Sequence, residues 1–218
     1  AGGGGFSLEI YSYLLDEINK NTLVDIKIKG VLDSIRECEL RQYHPEVDYL
    51  GDIHSYIVKE GDFALIASGN SISRRDIAIQ LTKLSLPLYS YIHSSAYVSL
   101  NAVLGKGVFV GPHSIVSAHS YISDNVALNV YSGVGHGAII GPHCVMSPYS
   151  VINGDCELGE AVFLGSRVTL NPKMKVGSFS QIDAGCILRE PIDEFTLVSQ
   201  RVEQKVFDNR ILRRKILS

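Results

Sequence analysis

His136 stands between two glycines in the run Asn129-Val130-Tyr131-Ser132-Gly133-Val134-Gly135-His136-Gly137. A neutral imidazole takes a proton from an amine or hydroxyl near pH 7, and glycine neighbours leave it open to a substrate. His113, His119 and His143 are rivals, because a tight trio of imidazoles makes a metal site. At the other end of the chain, Gly2-Gly3-Gly4-Gly5 opens a stretch with helical spacing: Leu8, Tyr11, Leu14, Leu15 and Ile18. A glycine loop at a helix start offers free N–H groups to phosphates, and Ser7 is the expected cap. Val24 to Ile28 alternates like a strand and leads to Val31-Leu32-Asp33, an acid placed to meet a ribose or base edge. Cys38, Cys144, Cys156 and Cys186 show no metal or redox spacing. They read as small buried hydrophobes of a reduced, cytoplasmic protein.

The elements that position these groups follow from the rest of the 218 residues. Hydrophobic residues are 45% of the chain and charged ones 20%, enough to bury a core. A formal net charge of −3 and no long Lys/Arg run argue against a nucleic-acid or anionic-membrane surface. No apolar stretch reaches the roughly 18 residues of a membrane span, and the start AGGGGF does not read as a signal peptide.

A repeat organises the second half. Counting by six from Ile92 to Leu188 meets 17 positions, and all are Ile, Leu, Val or Met, types that make up 66 of the 218 residues. Chance would give this in one register with a probability on the order of 10⁻⁹. The following residue is mostly Gly, Asn or Asp, and the fifth of each hexad is mostly Ala, Ser or Cys. A period of six fits neither helix nor continuous strand but a short strand plus a turn, the hexapeptide pattern of a parallel β-helix. Three hexads close one triangular coil, so residues 18 apart stack, and 17 hexads make about 5.7 coils. Periodicity leaves the hand open.

The first ninety residues read as glycine loop, helix, strand ending in Asp33, buried strand Asp62 to Ser68 closed by Gly69-Asn70, and helix Ile72 to Leu86 stopped by Pro87. This is a Rossmann-like lobe whose first strand is missing. The expected organisation is a nucleotide-sugar-binding lobe over 1–90, a β-helix over 91–193 and a tail over 194–218.

A small nucleotide-binding lobe joined to an uninterrupted hexapeptide helix resembles the bacterial sugar acetyltransferases with a left-handed β-helix. These include sialic acid O-acetyltransferases and the 4-amino-sugar N-acetyltransferases of the bacillosamine pathway. The resemblance covers residues 2–193. It rests on GGGGFSLEI at the start, VLD at 31–33, ALIASGNSISRR at 64–75, NVYSGVGHGAIIG at 129–141 and NGDCELGEAVFLG at 153–165.

The resemblance implies a left-handed helix and acetyl-CoA as donor. It makes His136 the general base, Asn129 an active-site position, and the backbone amides of Gly154, Ser166 and Ala184 the lining of the donor groove. Gly2, Gly3, Gly4, Gly5, Phe6, Asp33, Gly69 and Asn70 would hold a nucleotide-linked sugar, and the assembly would be a homotrimer with sites between subunits. No metal and no nucleic acid are implied.

The sequence departs from the pattern in places. Both neighbours of His136 are Gly where family members often carry Glu, Phe6 stands where some carry His, and FTLVSQRVEQKVFDNR replaces a Gly-x-Pro-Ala signature. Stacking supplies a substitute orienter: Asp155 is 18 residues beyond Gly137, diagonal to His136, while Ala118 and Gly154 flank His136 above and below. The apolar run from Leu158 to Val168 is the expected flat face for trimer contact. N-acetyl and O-acetyl transfer are not separated by these residues. A γ-carbonic-anhydrase-like metal protein and a non-catalytic scaffold remain as other classes.

Overall fold

A computed structural model describes residues 1–200. Residues 91–198 form a parallel β-solenoid of 18 two-residue strands in three sheets. The first face carries seven strands, from Tyr91–Ile92 to Leu197–Val198. The second carries six, from Tyr97–Val98 to Ile187–Leu188, and the third carries five, from Val103–Leu104 to Lys175–Val176. Eighteen strands on three faces make six turns, consistent with a left-handed β-helix.

Neighbouring strands pair 18 residues apart, as in Tyr91↔Phe109 and Val151↔Thr169. The last coil is two residues shorter, with Gln181↔Leu197 and Val176↔Ile192 paired at 16. The ladder thus runs past residue 193 into the segment expected to be tail; the remainder of that tail, 201–218, lies outside the described residues.

The repeat explains the geometry. The second residue of each strand points inward, and from Val110 to Leu188 every one of these is buried. Each such side chain contributes on the order of 1.5–3 kcal/mol of burial. The open end is less covered, and Ile92 is 43% exposed. Turn residues such as His113, Tyr131, Asp155 and Arg167 adopt positive φ near 60°. Cys144, Cys156 and Cys186 fill the small inward positions, and burial pushes the Cys144 thiol up to about 12. That leaves little nucleophile there.

Residues 1–90 contain α1 (Gly5–Asn19), α2 (Glu39–Tyr43), a 3₁₀ turn (Ile53–Ser55) and α3 (Ser71–Lys83). Short extended segments run between them. Parallel bridges join Val31 to Tyr49 and Ala64 to Leu88, while Gly2 N–H donates to Leu32 O (2.9 Å) and Ala67 N–H to Ala1 O (2.7 Å).

Four local expectations are corrected. Asp62 to Ser68 forms no strand but an extended segment with a single bridge, Ala64 to Leu88, and Phe63 within it is exposed. Val24 to Ile28 forms no strand: Asp25 turns the chain at φ +62, and Gly30 packs its backbone against Asp48 O. Ser7 is not the cap of α1; Gly4 is, and Ser7 lies inside the first turn with its hydroxyl on Gly4 O (2.6 Å). Helix α3 stops at Lys83, because Ser85 takes φ +55 and Leu86, before Pro87, is disfavoured in a helix.

The lobe sits on the first face. Phe6, Ile10 and Ala67 pack on the outward side chains Tyr91, Phe109, Ala127 and Val145. Where the Leu158 to Val168 run was expected to be a free flat face, Leu158, Val162, Leu164 and Val168 are interior and Phe163 meets the lobe cluster. Two faces keep uncovered apolar side chains: on the second, Tyr97, Ile115, Val151 and Ile187 are 62, 49, 37 and 53% exposed, and on the third Val103, Tyr121 and Ile139 are exposed to a similar degree.

Lys29 and Asp62 tie the lobe together. Lys29 Nζ donates to Asp62 Oδ1 (2.7 Å) and to Tyr56 Oη (2.8 Å), and Tyr56 Oη donates to Asp62 Oδ2 (2.6 Å). The bond from Lys29, then those from Tyr56 and the Lys59 N–H, lower the Asp62 carboxyl to about 2. A carboxyl depressed in the folded state adds stability above its unfolded pKa and loses it as pH falls through the folded one. Melting temperature should therefore fall between about pH 4 and pH 2, and Asp62→Asn should flatten that limb in a pH series of thermal melts.

Candidate active site

Three edges separate the faces. The 1–2 edge holds turns 93–96 through 183–186, the 2–3 edge holds 99–102 through 171–174, and the 3–1 edge holds 105–108 through 177–180. The 2–3 edge is opposite the lobe-bearing first face. His136 lies on it and is exposed.

The imidazole of His136 lies flat on the next coil. A side chain at Gly154 would begin 2.6 Å from its Nε2 and Cε1. Only glycine at 154 lets the ring rest there. Asp155 follows, and its Oδ1 is 3.8 Å from His136 Nδ1. Its backbone N–H donates to His136 O (2.9 Å), which fixes the two coils against each other. Gly137 takes φ +66, and a Cβ there would strike Asp155 Oδ1. The missing side chain is what admits the carboxylate. A carboxylate on the Nδ1 side favours the tautomer that leaves Nε2 to accept a proton. His119 is one coil before Gly137 on the same edge, His113 is on the 1–2 edge and His143 on the 3–1 edge.

The other sequence-predicted groups are elsewhere. Asn129, Ser166 and Ala184 lie on the 1–2 edge, a whole face away from His136 and Gly154 within one chain. Asn129 Oδ1 accepts from Val130 N–H (2.7 Å). The N–H groups of Gly154, Ser166 and Ala184 have no protein acceptor among the described residues.

The lobe residues gather at the start of α1. Gly3 N–H donates to Asp33 Oδ2 (2.8 Å) and Ile35 N–H to Asp33 Oδ1 (2.8 Å), so Asp33 shapes the glycine loop. Gly4 and Gly5 are exposed and no side chain caps the helix. The Glu39 carboxylate stands 3.6 Å from where a Gly5 side chain would begin, partly offsetting the positive helix end. A side chain at Gly69 would begin 3.7 Å from Phe6 Cβ, so the start of α3, capped by Asn70 Oδ1 accepting from Ser73 N–H (2.9 Å), lies beside the start of α1. Phe6 itself is docked edge-on against Phe109, ring centres 5.3 Å apart.

Two features were not found by sequence reading. Arg74, fully buried, donates to Ile66 O (2.7 Å), Asn125 O (2.8 Å) and Gly107 O (3.3 Å), clamping the 66–70 segment to two coils. Arg75 adds a bond to Glu160 (2.6 Å). Nothing in the residue types announces this. A column on the 1–2 edge stacks His113 on Tyr131 (4.9 Å), Tyr131 on Tyr149 (5.1 Å) and Arg167 over Tyr149 (5.7 Å). The step of 18 would have found it.

Among the described residues no helix is long and apolar enough to cross a membrane, and no three His, Cys, Asp or Glu side chains gather as a metal group. No protein-family model matches the chain, and no curated protein does. Solved structures match over most of its length. PerB from Caulobacter crescentus, in complex with CoA and GDP-perosamine, is 24% identical over 90% of each chain with a TM-score of 0.78. The acetyltransferase domain of PglB from Neisseria gonorrhoeae is 22% identical over 90% of this chain and 92% of that one, with a TM-score of 0.74. WeeI from Acinetobacter baumannii is 17% identical over 91% and 94%, with a TM-score of 0.76. What these likenesses establish is the fold: the chain is a β-solenoid protein of the architecture these acetyltransferases share.

Proposed function

We propose that the chain is an acyltransferase that moves acetyl from acetyl-CoA to the amino group of a nucleotide-linked amino sugar, directly and with His136 as general base. One observation carries this: an imidazole laid on Gly154, with Asp155 at its Nδ1, on a fold shared with a protein solved with CoA and GDP-perosamine. The amine nitrogen attacks the thioester carbonyl as His136 Nε2 takes its proton. The Gly154 N–H faces the developing oxyanion, the C–S bond breaks, and the CoA sulfur leaves with the proton. The high pKa of Cys144 speaks against an acetyl-enzyme.

The lobe is Rossmann-like and holds the nucleotide at Gly2–Gly5, with Phe6, Gly69 and Asn70 around it. Asp33 serves chiefly by fixing the loop. The reduced cysteines suit a cytoplasmic setting.

Two copies make each site. Within one chain the lobe covers the first face while His136 lies on the opposite edge, and Gly154 is a face away from Ser166 and Ala184. A neighbour that covers the second-face column Tyr97, Ile115, Val151 and Ile187 brings a 1–2 edge beside a 2–3 edge. A trimer closes this arrangement with three equal contacts. Light scattering should give the mass of three chains; a monomer at micromolar concentration would overturn the shared site.

A thermal-shift screen tests the substrate class. A nucleotide-linked amino sugar should raise the melting temperature because it binds only the native state. No shift with any nucleotide, alongside a shift with acetyl-CoA, would remove the nucleotide from the proposal.

A further inference from the structure

A second cluster of nucleophilic and titratable side chains lies on the first turn of the solenoid, 93–96, while His136 lies on another edge. Ser95 Oγ is 2.8 Å from His93 Nδ1, and His93 Nε2 is 3.6 Å from Glu17 Oε1. The bonds around them fix which atom donates. Ser95 N–H donates to His93 Nδ1 (3.0 Å), which makes Nδ1 the acceptor and leaves the ring proton on Nε2, toward Glu17. His113 N–H donates to Ser95 Oγ (3.0 Å), and the Ser95 hydroxyl can turn its own proton to Nδ1. Glu17 reaches over from the last turn of α1. It is buried, accepts from Ser94 Oγ (2.5 Å), and has no Lys or Arg partner among the described residues. Ser95 is exposed, and among the described residues it is the one serine whose hydroxyl meets an imidazole.

A hydroxyl becomes a nucleophile when an adjacent base takes its proton and a third group steadies that base. A buried carboxylate with no cation beside it is costly, and an imidazolium facing it offsets that cost as it forms. We propose that Ser95 is a second nucleophile, with His93 as its base and Glu17 as the positioning residue, and that it takes acyl groups from uncharged carboxylic esters. Oγ attacks the ester carbonyl as its proton passes to His93 Nδ1. The ester C–O bond breaks, and the leaving alcohol takes the proton from His93. Water, activated by the same imidazole, then releases the carboxylic acid from acyl-Ser95. The His113 N–H favours the charged form of the attacking oxygen. An uncharged ester is the fitting class because turns 93–96 and 111–114 carry no Lys or Arg to hold an anionic donor. This chemistry uses none of the groups around His136.

Mass spectrometry of the whole protein and its peptides, after exposure to p-nitrophenyl acetate and to a fluorophosphonate, tests this. Each reagent should leave one adduct, on Ser95, with nitrophenol or fluoride released. Ser95→Ala should remove both adducts and leave acetyl transfer from acetyl-CoA as in the parent. His93→Gln should slow labelling by about 10²–10⁴-fold, the usual span for losing a general base. Glu17→Gln keeps an acceptor for Ser94 and should slow it less. The groups facing the His93 ring are Glu17, Asp16, Tyr13 and Lys20 from α1, and Tyr91 and His113 from the solenoid. Burial outweighs Glu17 and lowers His93 below its usual value, so labelling of the parent should level off by about pH 7. A role confined to pinning the turn would move the melting temperature but not that profile. Should His93→Gln fail to fold, Glu17→Gln and the parent's pH profile decide. Adducts spread evenly over exposed serines, labelling of Ser95 at the parental rate in His93→Gln, or no adduct on the parent would overturn the second nucleophile and leave the His136 reading intact.

Discussion

His136→Ala is expected to lower kcat by about 10²–10⁴-fold, the usual span for losing a general base. The substitution removes the only imidazole resting on Gly154 and leaves the backbone bond from Asp155 to residue 136 in place. Folding should be little changed, because the ring is largely exposed in the single chain. Asp155→Asn should cost less than the base itself, since Asp155 acts only through His136 at 3.8 Å. The double variant should be no slower than His136→Ala alone, because groups acting as one unit are not additive. Steady-state kinetics of the three variants decide this. Full activity of Asp155→Asn across pH 6–8 would remove the orienter. An undiminished His136→Ala would mean that the acceptor amine arrives already deprotonated or that the chemistry is elsewhere.

Gly4→Asp should abolish acceptor use without harming the fold. Gly4 caps α1 at φ −78, with nothing within 4 Å of a new side chain. Aspartate is a better cap than glycine by a few tenths of a kcal/mol, so the melting temperature should hold or rise. The carboxylate repels a phosphate at the same helix end. Mixed with His136→Ala after subunit exchange, this variant gives a sharper result. If lobe and base come from different copies, random mixing of two inactive variants restores about a quarter of the sites. If both come from one chain, mixing restores none. Acetyl-CoA turnover before and after exchange reads the difference.

Much of the solenoid was legible in the sequence. Every inward position from Ile92 to Leu188 was fixed by the period of six, because a two-residue strand has only one inward side chain and the turn must be small. The stacking step of 18 placed Gly154 under His136 and Asp155 beyond Gly137, since register in a regular coil is an arithmetic property. The break in the period was written in the sequence but not read: the aliphatics after Leu188 fall at Ile192 and Val198, two residues short of positions 194 and 200, where the last coil closes early.

The lobe was read less well. Its two longer helices were recoverable from apolar spacing, but the short α2 and the 3₁₀ turn were not read, and Val24 to Ile28 lost its strand to a single left-handed residue, Asp25. Asp33 was recognised as special for its place, while its two bonds to Gly3 and Ile35 came only from the fold. Arg74 was invisible because all its partners are backbone carbonyls, which every residue type carries. The separation of Asn129, Ser166 and Ala184 from His136 also needed three dimensions, since positions close in sequence fall on different edges of a triangle.

The most direct test is mass analysis of nucleotide-linked amino sugars incubated with the protein and acetyl-CoA, with free thiol measured in parallel. The account predicts that one such sugar gains a single acetyl group on nitrogen, that one CoA thiol appears for each acetyl transferred, and that His136→Ala suppresses both. Absence of acetylated product and of thiol release across the sugars, by a protein that binds acetyl-CoA and is correctly folded, would contradict it.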